Sequence, residues 1–165
     1  MTSQDFRMAM RRLPAGVSII TTKAGQSVAG MTATSVSSLS ADPPSLLVCV
    51  NQAGAMHAAL QKATHFAVNL LASRHVDVAQ NFADPALREQ RFIGDRWSLD
   101  ETGVPYFREA QASFVCRLAN KLQFGTHMIF IGEVERIRCA ESDSPLIYFD
   151  GSYRDLKDSL LLDCH

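Results

Sequence analysis

Two long strand segments near the C-terminal end decide the fold: ASFVCRLANKLQF at residues 112–124 and HMIFIGEVERIRC at residues 127–139, with only Gly125-Thr126 between them. Both are rich in β-branched and aromatic residues, the composition typical of strands. Earlier in the chain, residues 17–23 (VSIITTK) have the same character, and a glycine-containing turn leads into residues 27–33 as a hairpin partner. The pattern therefore predicts a mainly β protein.

The other predicted elements are shorter. They are strands at 45–51, 66–71 and 146–149, and helices at 53–63, at 74–82 and at the N-terminus. Ser3 is the expected cap of the first helix, which carries Phe6, Met10 and Leu13 on one face. Residues 84–110 are polar and interrupted by glycine and proline, which predicts a loop. Six or seven strands that do not alternate with the three helices favour an α+β fold, a mostly antiparallel barrel with peripheral helices.

The composition fits one domain over residues 1–165, with 47% apolar and 20% charged residues. This excludes a disordered chain and a disulfide-stapled miniprotein. The net charge of −1 offers no general field for nucleic acid. No apolar run reaches the roughly 18 residues of a membrane helix, and the N-terminus lacks a secretory signal pattern. We therefore expect neither nucleic acid nor membrane as a partner.

Several common kinds of site have no support in the sequence. The cysteines (49, 116, 139 and 164) form no Cys-x-x-Cys pair, so we interpret them as free thiols in a reducing cytoplasm. No two histidines have His-x-x-x-His spacing, so no metal site is predicted. Glycine-rich dinucleotide and P-loop motifs are absent, as is the Gly-x-Ser-x-Gly nucleophile motif.

The most informative stretch is GMTATSVSSLS at residues 30–40, followed by Asp42-Pro43-Pro44. Its small, hydroxylated side chains would let a flat ligand lie against the main chain, where N–H and hydroxyl groups can meet ring nitrogens and carbonyl oxygens. A second stretch, NQAGAMH at residues 51–57, places small residues at a helix start, where free N–H groups favour phosphate. From composition alone, an exposed Ser/Thr-rich strand and an ordinary helix start remain open alternatives.

Taken in order, these segments resemble the flavin reductase family, whose members have an FMN-binding split-barrel fold. Four blocks carry the resemblance, from residue 6 to about residue 156. They are residues 6–22, including MRRLPAGV at 10–17; residues 30–44; HFAVNLL at 65–71; and GTHMIFIGEV at 125–134 followed by PLIYFDGSY at 145–153. The resemblance implies a split antiparallel β-barrel with peripheral helices.

The resemblance also implies roles for individual residues. The flavin ring would lie mainly against main-chain groups of Thr32, Ala33, Thr34, Ser35, Ser37 and Ser38. The ribityl chain and phosphate would lie near Asn51, Ala53, Gly54, Ala55 and His57. Arg91 and Phe92 would reach the flavin phosphate or the nucleotide, and Tyr153 would lie near the bound cofactors. His127 is the implied catalytic residue, beside the nicotinamide, although a barrel histidine satisfied by a neighbour is an open alternative.

The chain departs from the family pattern at two places. Thr126 stands where many relatives have aspartate before the histidine, and residues 53–55 (AGA) stand where relatives have a Ser/Thr-rich run. Fewer hydroxyl groups would reach the phosphate, so binding there would rely more on main-chain N–H groups.

The implied activity is NAD(P)H-dependent reduction of FMN or FAD, with NADH or NADPH as the donor. Hydride passes from nicotinamide C4 to flavin N5, so the rings must stack while the protein supplies position and polarity. The resemblance further implies a homodimer that supplies reduced flavin to a partner oxygenase. Two alternatives stay open: the same fold reducing another acceptor, such as a corrin cobalt or a ferric chelate, or a flavin-binding protein without turnover.

Overall fold

The computed structural model describes residues 1–141 and 143–156, and a seven-stranded antiparallel sheet forms its centre. The strands are β1 (Ala15–Gly16), β2 (Ser18–Ala24), β3 (Ser27–Ala33), β4 (Val36–Ala41), β5 (Pro44–Asn51), β6 (His65–Leu70), β7 (Trp97–Leu99), β8 (Pro105–Phe107), β9 (Ala112–Phe124), β10 (His127–Cys139), β11 (Leu146–Phe149) and β12 (Ser152–Asp155). The helices are α1 (Ser3–Met10), α2 (Ala55–Lys62) and α3 (Val76–Ala83), with 3-10 helices at Ser73–His75 and Pro85–Gln90.

The main sheet has the strand order β3-β2-β6-β9-β10-β5-β4. Its two edge strands, β3 and β4, follow each other in the chain and are joined only by Thr34-Ser35. Because such a short link keeps the two edges together, the sheet curls into a barrel that is split between them. The predicted mainly β split barrel is therefore confirmed. Two small sheets, β1-β11-β12 and β7-β8, lie outside it.

The barrel interior is filled by residues that alternate along the strands, as period-2 patterning requires. Its wholly buried members include Ile20, Val48, Phe66, Val68 and Phe130. Each such side chain contributes about 1.5–3 kcal/mol relative to an exposed one. The interior core thus fixes the register that brings distant segments of the chain side by side.

A second core lies on the outer face of β2, under α3. Ile19, Leu71, Ala79, Phe82 and Phe107 are buried there. The rings of Phe92 and Trp97 pack against this core, with centroids 5.0 Å apart. The second core therefore attaches α3 and the segment after it to the barrel wall.

Buried Asn69 on β6 connects four parts of this region. Its Nδ2 donates to the carbonyl of Ile19 at 3.0 Å, and its Oδ1 accepts the N–H of Phe107 and the hydroxyl of Ser113, both at 2.8 Å. A buried amide is tolerable only when its polar atoms are satisfied in this way. Asn69 thus holds the outlying β8 against the main sheet.

The predicted bounds of the two long strands, 112–124 and 127–139, and of the strand at 146–149 are confirmed. The loop predicted for residues 84–110 is partly wrong, because a 3-10 helix and the β7-β8 hairpin lie within it. The strand β12 is an addition to the prediction. The rest of the uncertain C-terminal tail, residues 157–165, lies outside the described residues, as do Cys164 and His165.

The prediction for the first helix is wrong in one detail and incomplete in another. Thr2 rather than Ser3 is the cap: its hydroxyl accepts the N–H of Asp5 at 3.1 Å, while the Asp5 carboxylate accepts the N–H of Thr2 at 2.8 Å. The expected apolar face exists, yet Phe6 and Met10 are 56% and 45% exposed. Within one copy of the chain, α1 therefore buries no apolar face against the barrel.

Cys49, Cys116 and Cys139 are free thiols. Burial raises the pKa of the Cys116 thiol to about 12, and the charge of Glu135 acts in the same direction. None of the helices within residues 1–141 and 143–156 has the length and apolarity needed to cross a membrane.

Candidate functional site

A cleft of about 510 Å³ opens between β3, the start of α2 and the 3-10 helix after α3. It is lined by residues 28–31 of β3, residues 54–56, Phe82, Ala83, Pro85, Arg88, Glu89, Arg91 and Phe92. Its size lies within the ~300–1,000 Å³ range of small-molecule sites. Four predicted site residues meet here, although almost forty positions separate Gly54 and Ala55 from Arg91 and Phe92.

The β3 wall of the cleft is bare at Gly30. A Cβ at this position would meet Cε1 of Phe82 at 2.6 Å and Cζ of Phe92 at 3.0 Å. The two rings form an edge-on pair with centroids 5.1 Å apart. Gly30 is therefore required for the aromatic side chains of the second core to lie directly against the strand.

The start of α2 presents main-chain N–H groups to the cleft. Asn51 organises the approach, because its Oδ1 accepts the N–H of Ala53 at 2.9 Å and its main-chain oxygen accepts that of Gly54 at 3.1 Å. Gly54 caps the helix without a side chain, so the N–H groups of Ala55 and Met56 have neither an intrahelical acceptor nor a capping side chain. Such N–H groups and the positive end of the helix dipole favour an anion.

Arg91 fixes one side of the cleft through the main chain. Its Nη1 donates to the carbonyl of Gly30 at 2.8 Å, its Nη2 to that of Asp84 at 2.9 Å, and its Nε to that of Asn81 at 3.4 Å. Burial and the nearby charge of Arg88 lower the pKa of Arg91. Three of its five N–H groups are used in this way, so two remain for a ligand.

Arg88 is a second cation at the cleft and is not among the site residues predicted from the sequence. It lies in the 3-10 helix Pro85–Gln90, three residues before Arg91, which directly follows the helix, so the two side chains lie on the same side. Glu89 also lines the cleft, which leaves an excess of one positive charge among the three side chains. A spacing of three in the pair Arg88/Arg91 was the available signal, but residues 84–110 had been predicted as a loop.

His127 lies at the start of β10, beside Asn51. Asn51 ends β5 and begins the short connection to α2. His127 pairs with Asn51 of β5 on one side and with Phe124 of β9 on the other. Its ring Nδ1 is 3.0 Å from Oγ1 of Thr126, and the side chain is exposed. The fold thus brings the predicted catalytic histidine beside the predicted phosphate-side asparagine.

The predicted ring-lining residues differ in where their side chains lie. The hydroxyl of Thr32 donates to the carbonyl of Ala79 at 2.6 Å, and Ala33 is buried in the barrel core. The hydroxyl of Ser35 donates to the carbonyl of Cys49 at 2.8 Å. A ligand would therefore meet this part of the segment through its main chain, as the resemblance implies.

Thr34, Ser37 and Ser38 are exposed, and the latter two line a second, mainly apolar cleft of about 350 Å³. Its other walls include Leu46, Phe114 and Val134 of the barrel, while Thr34 lies outside it. Clefts thus open on both sides of the split between β3 and β4.

Eight of the fourteen predicted cofactor-binding residues line neither cleft: Thr32, Ala33, Thr34, Ser35, Asn51, Ala53, His57 and Tyr153. The side chains of the last two pack against other parts of the protein. His57 of α2 has its Nε2 3.0 Å from the side-chain nitrogen of Gln61, and its ring lies 6.1 Å from that of Phe130. Tyr153 of β12 packs against the second core, with its ring 5.5 Å from that of Tyr148. Burial raises the pKa of Tyr153. Their proposed contacts with cofactors stay predictions.

Comparison with known proteins gives consistent matches along the chain. Residues 10–157 match the family model of the flavin reductase like domain. The chain is 38% identical over 152 residues to the FADH(2)-dependent resorcinol hydroxylase, reductase component, of Rhizobium sp. (strain MTP-10005), covering 91% of this chain and 85% of that protein. It is 37% identical over 156 residues to the FMN reductase (NADH) RutF of Stutzerimonas stutzeri (strain A1501), covering 94% and 90%.

A solved structure also superimposes closely. The Streptomyces globisporus C-1027 NADH:FAD oxidoreductase SgcE6, in complex with NAD and FAD fragments, matches with a TM-score of 0.86 and 31% identity. The match covers 93% of this chain and 92% of that one.

Proposed function

The chain belongs to the flavin reductase family, and from this premise we propose how its residues divide the work of an NAD(P)H-dependent flavin reductase that supplies reduced flavin. It is an oxidoreductase that uses flavin and nicotinamide cofactors. When bound, the flavin takes up the hydride, so the redox chemistry belongs to the cofactors. The protein must bind both, orient them and exclude water.

In this proposal the cleft at Arg91 binds the phosphate end of the flavin. The donor set fits that group: two guanidinium groups, from Arg88 and Arg91, and the unpaired N–H groups of Ala55 and Met56 face one cleft. This convergence is the observation that carries the proposal. The Ala-Gly-Ala sequence before Met56 lets a phosphate approach the main chain, which compensates for the absent hydroxyl groups.

The flavin ring would follow residues 32–38 toward the split between β3 and β4. The side chains of Thr32 and Ser35 are already hydrogen-bonded to the protein, which keeps that wall rigid. Main-chain groups of the segment, together with the exposed hydroxyl groups of Ser37 and Ser38, would meet the polar edge of the ring. N–H donors at such an edge stabilise negative charge that develops on reduction.

His127 would act at the nicotinamide side. Its exposed imidazole lies beside Asn51, at the end of the phosphate-side segment, and Thr126 contacts its Nδ1. It would orient the nicotinamide or donate a hydrogen bond to its amide. Thr126, which stands where many relatives have aspartate, would orient the ring through this contact.

We further propose FMN and NADH as the preferred pair, since the curated relatives include FMN reductase (NADH) enzymes. FAD is the second candidate, because the resorcinol hydroxylase relative depends on FADH(2) and SgcE6 is an NADH:FAD oxidoreductase. The reduced flavin would pass by diffusion to a partner oxygenase, in the manner that the term reductase component implies for the Rhizobium protein.

The proposal includes a single domain over residues 1–165, a cytoplasmic location and a homodimer. The main sheet takes strands from residue 18 to residue 139, so no boundary divides it. Free thiols persist in a reducing compartment. The exposed apolar face of α1 is the surface that a second copy would cover.

The proposal is tested by mixing the protein anaerobically with one flavin (FMN or FAD) and one nicotinamide (NADH or NADPH), in all four combinations. Loss of absorbance at the flavin band reports the reduction. Fluorescence titration with each flavin in the absence of nicotinamide gives the affinity. We expect bleaching to be fastest with FMN and NADH. A protein that binds flavin but stays yellow with both nicotinamides would overturn the reductase function.

A further inference from the structure

Gln52 holds the turn that carries His127 by three hydrogen bonds. Its Nε2 donates to the main-chain oxygens of Gly125 at 3.1 Å and of His127 at 3.3 Å. Its main-chain N–H donates to the carbonyl of Thr126 at 3.0 Å. One residue thus engages three consecutive carbonyls of the β9-β10 turn.

The turn needs such support because it projects into solvent. It has only two residues between β9 and β10, and Gly125 has a φ of +55°. Exposed loop tips are mobile unless side chains fix them. The pairing of β10 with β5 fixes the main chain of His127 opposite Asn51, whereas the direction of the turn beyond it depends on Gln52.

The imidazole is oriented from the same turn. Oγ1 of Thr126 lies 3.0 Å from Nδ1 of His127, and Gln52 holds the carbonyl of Thr126. The side chain of Gln52 holds the carbonyls of Gly125 and His127, on either side of Thr126, and so fixes the residue that contacts the ring. Because Gln52 also follows Asn51 in the chain, it couples the ring to the phosphate-side segment.

We propose that Gln52 is a positioning residue for hydride transfer, which keeps the imidazole of His127 directed at the nicotinamide. The proposal rests on the role proposed above for His127. Displacement of an aligning group by about an ångström can cost about a hundredfold in rate. Flavin affinity should change little, because the cleft at Arg91 holds the phosphate.

The test replaces Gln52 by glutamate, which keeps the shape but turns two carboxylate oxygens toward carbonyl groups. Gln26→Glu, the same change in the exposed β2-β3 turn, is the matched control. We expect Gln52→Glu to lower the limiting rate of flavin reduction at saturating NADH about tenfold or more. Flavin affinity should stay within about twofold, and Gln26→Glu should alter neither quantity. An unchanged rate, or a loss of flavin affinity that matches the loss of rate, would overturn the proposal.

A double-mutant cycle separates positioning from a general structural effect. If Gln52 acts through His127, then Gln52→Ala in a His127→Ala background should slow reduction by less than about twofold. Independent, additive losses would contradict that path. Gln52→Ala also serves if the glutamate variant does not fold.

The histidine NMR spectrum reports on the ring without reference to activity. We expect Gln52→Glu to shift the His127 resonances, whereas Gln26→Glu should leave them in place. Unchanged resonances would overturn the positioning itself. If the resonances shift but the His127→Ala variant reduces flavin at the wild-type rate, the functional role proposed for His127 is wrong.

Discussion

Arg91 has both a structural role and a proposed role in phosphate binding, and mutations can separate the two. It hydrogen-bonds the carbonyls of Gly30 on β3, of Asn81 on α3 and of Asp84 just after α3, and it also faces the proposed phosphate. Arg88 faces the same cleft from an exposed position. The two arginines therefore form a matched pair: one is structural and ligand-facing, the other ligand-facing only.

We predict that Arg91→Met and Arg88→Met both weaken FMN binding, by about tenfold, as expected for loss of one charge-assisted contact. Only Arg91→Met should also lower the free energy of unfolding, by about 1–3 kcal/mol, because the carbonyls of Gly30 and Asn81 lose a donor in a partly buried environment. Fluorescence titration and urea denaturation measure the two effects. An Arg88→Met variant that binds FMN like the wild type would remove Arg88 from the site.

For the histidine, we predict that His127→Ala slows hydride transfer more than it weakens flavin binding, because the imidazole lies at the nicotinamide side. Stopped-flow bleaching under nitrogen gives the first quantity and fluorescence titration the second. His65→Ala is a suitable control, since its ring contacts Thr64 and Glu135 and it is not among the predicted site residues. Equal losses in rate and affinity would assign His127 to flavin contact.

Some residues of the site could be predicted and others could not. Arg91, Phe92, Gly54 and Ala55 were predicted through the resemblance, and they line one cleft. Arg88 was not predicted, because its position at the cleft depends on a 3-10 helix that no periodic apolar pattern indicates.

At the scale of elements, the packing of α3 on β3 depends on Gly30. The ring of Phe82 lies where a Cβ would be, so the helix can approach only a bare strand. By contrast, a Cβ at Gly16 of β1 would meet no atom within 4 Å. Substitution by alanine should therefore destabilise the protein at Gly30 but not at Gly16.

We predict that Gly30→Ala lowers the free energy of unfolding by about 1–3 kcal/mol, as overpacking does. Gly16→Ala should change it by no more than about 0.5 kcal/mol. Chemical denaturation measures both. If Gly30→Ala were as stable as the control, α3 would have room to move away from β3.

Another element-scale contact predicts a pH dependence. His75, wholly buried, ends the 3-10 helix before α3, and its Nδ1 accepts the N–H of Ala72 at 3.1 Å. Its Nε2 lies 3.5 Å from a carboxylate oxygen of Glu109. Burial, assisted by the charge of Arg74, lowers its pKa from the ordinary 6.5.

Because the unfolded chain binds the proton more readily, the contribution of His75 to stability is complete above pH 6.5 and is lost as pH falls toward the lowered pKa. We predict that His75→Gln flattens the decline of Tm as the pH falls below 6.5. Thermal denaturation across this range measures it, and parallel slopes for His75→Gln and the wild type would refute the assignment.

Element prediction succeeded where a regular period covered enough residues. The two thirteen-residue strands β9 and β10 were predicted to the residue because apolar and β-branched side chains continue through both. The three-residue strands β7 and β8 were missed, since glycine and proline surround them and Asn69, far away in sequence, holds β8 in place.

For the whole molecule, α1 is the least explained part within a single copy. Its capping box is complete, yet none of its residues is buried. An eight-residue helix is marginal in water without tertiary contacts. A second copy that covers Phe6 and Met10 would supply them.

We predict that the protein sediments as a dimer and that Phe6→Asp with Met10→Asp shifts it toward monomer. Met8→Asp, on the opposite side of the same helix and 54% exposed, should leave the dimer intact. Sedimentation velocity distinguishes the species. A wild-type monomer, or equal dissociation by Met8→Asp, would show that this face does not join two copies.

The topology of the whole molecule could be predicted only through the resemblance to the family. Local patterns predict how many strands exist, but the order β3-β2-β6-β9-β10-β5-β4 arises from pairings between distant segments. The split between β3 and β4 also follows from that order. Sequence periodicity carries no information on which strand becomes an edge.

The chain contains one tryptophan, and its position allows intrinsic fluorescence to report on flavin binding. The ring centroid of Trp97 lies 5.0 Å from those of both Phe82 and Phe92, two residues that line the cleft. A flavin bound with its phosphate end in this cleft would absorb the indole's emission, so intrinsic fluorescence would dim as flavin binds and brighten as it leaves. Loading, turnover and departure of flavin could thus be watched in real time without attaching any dye.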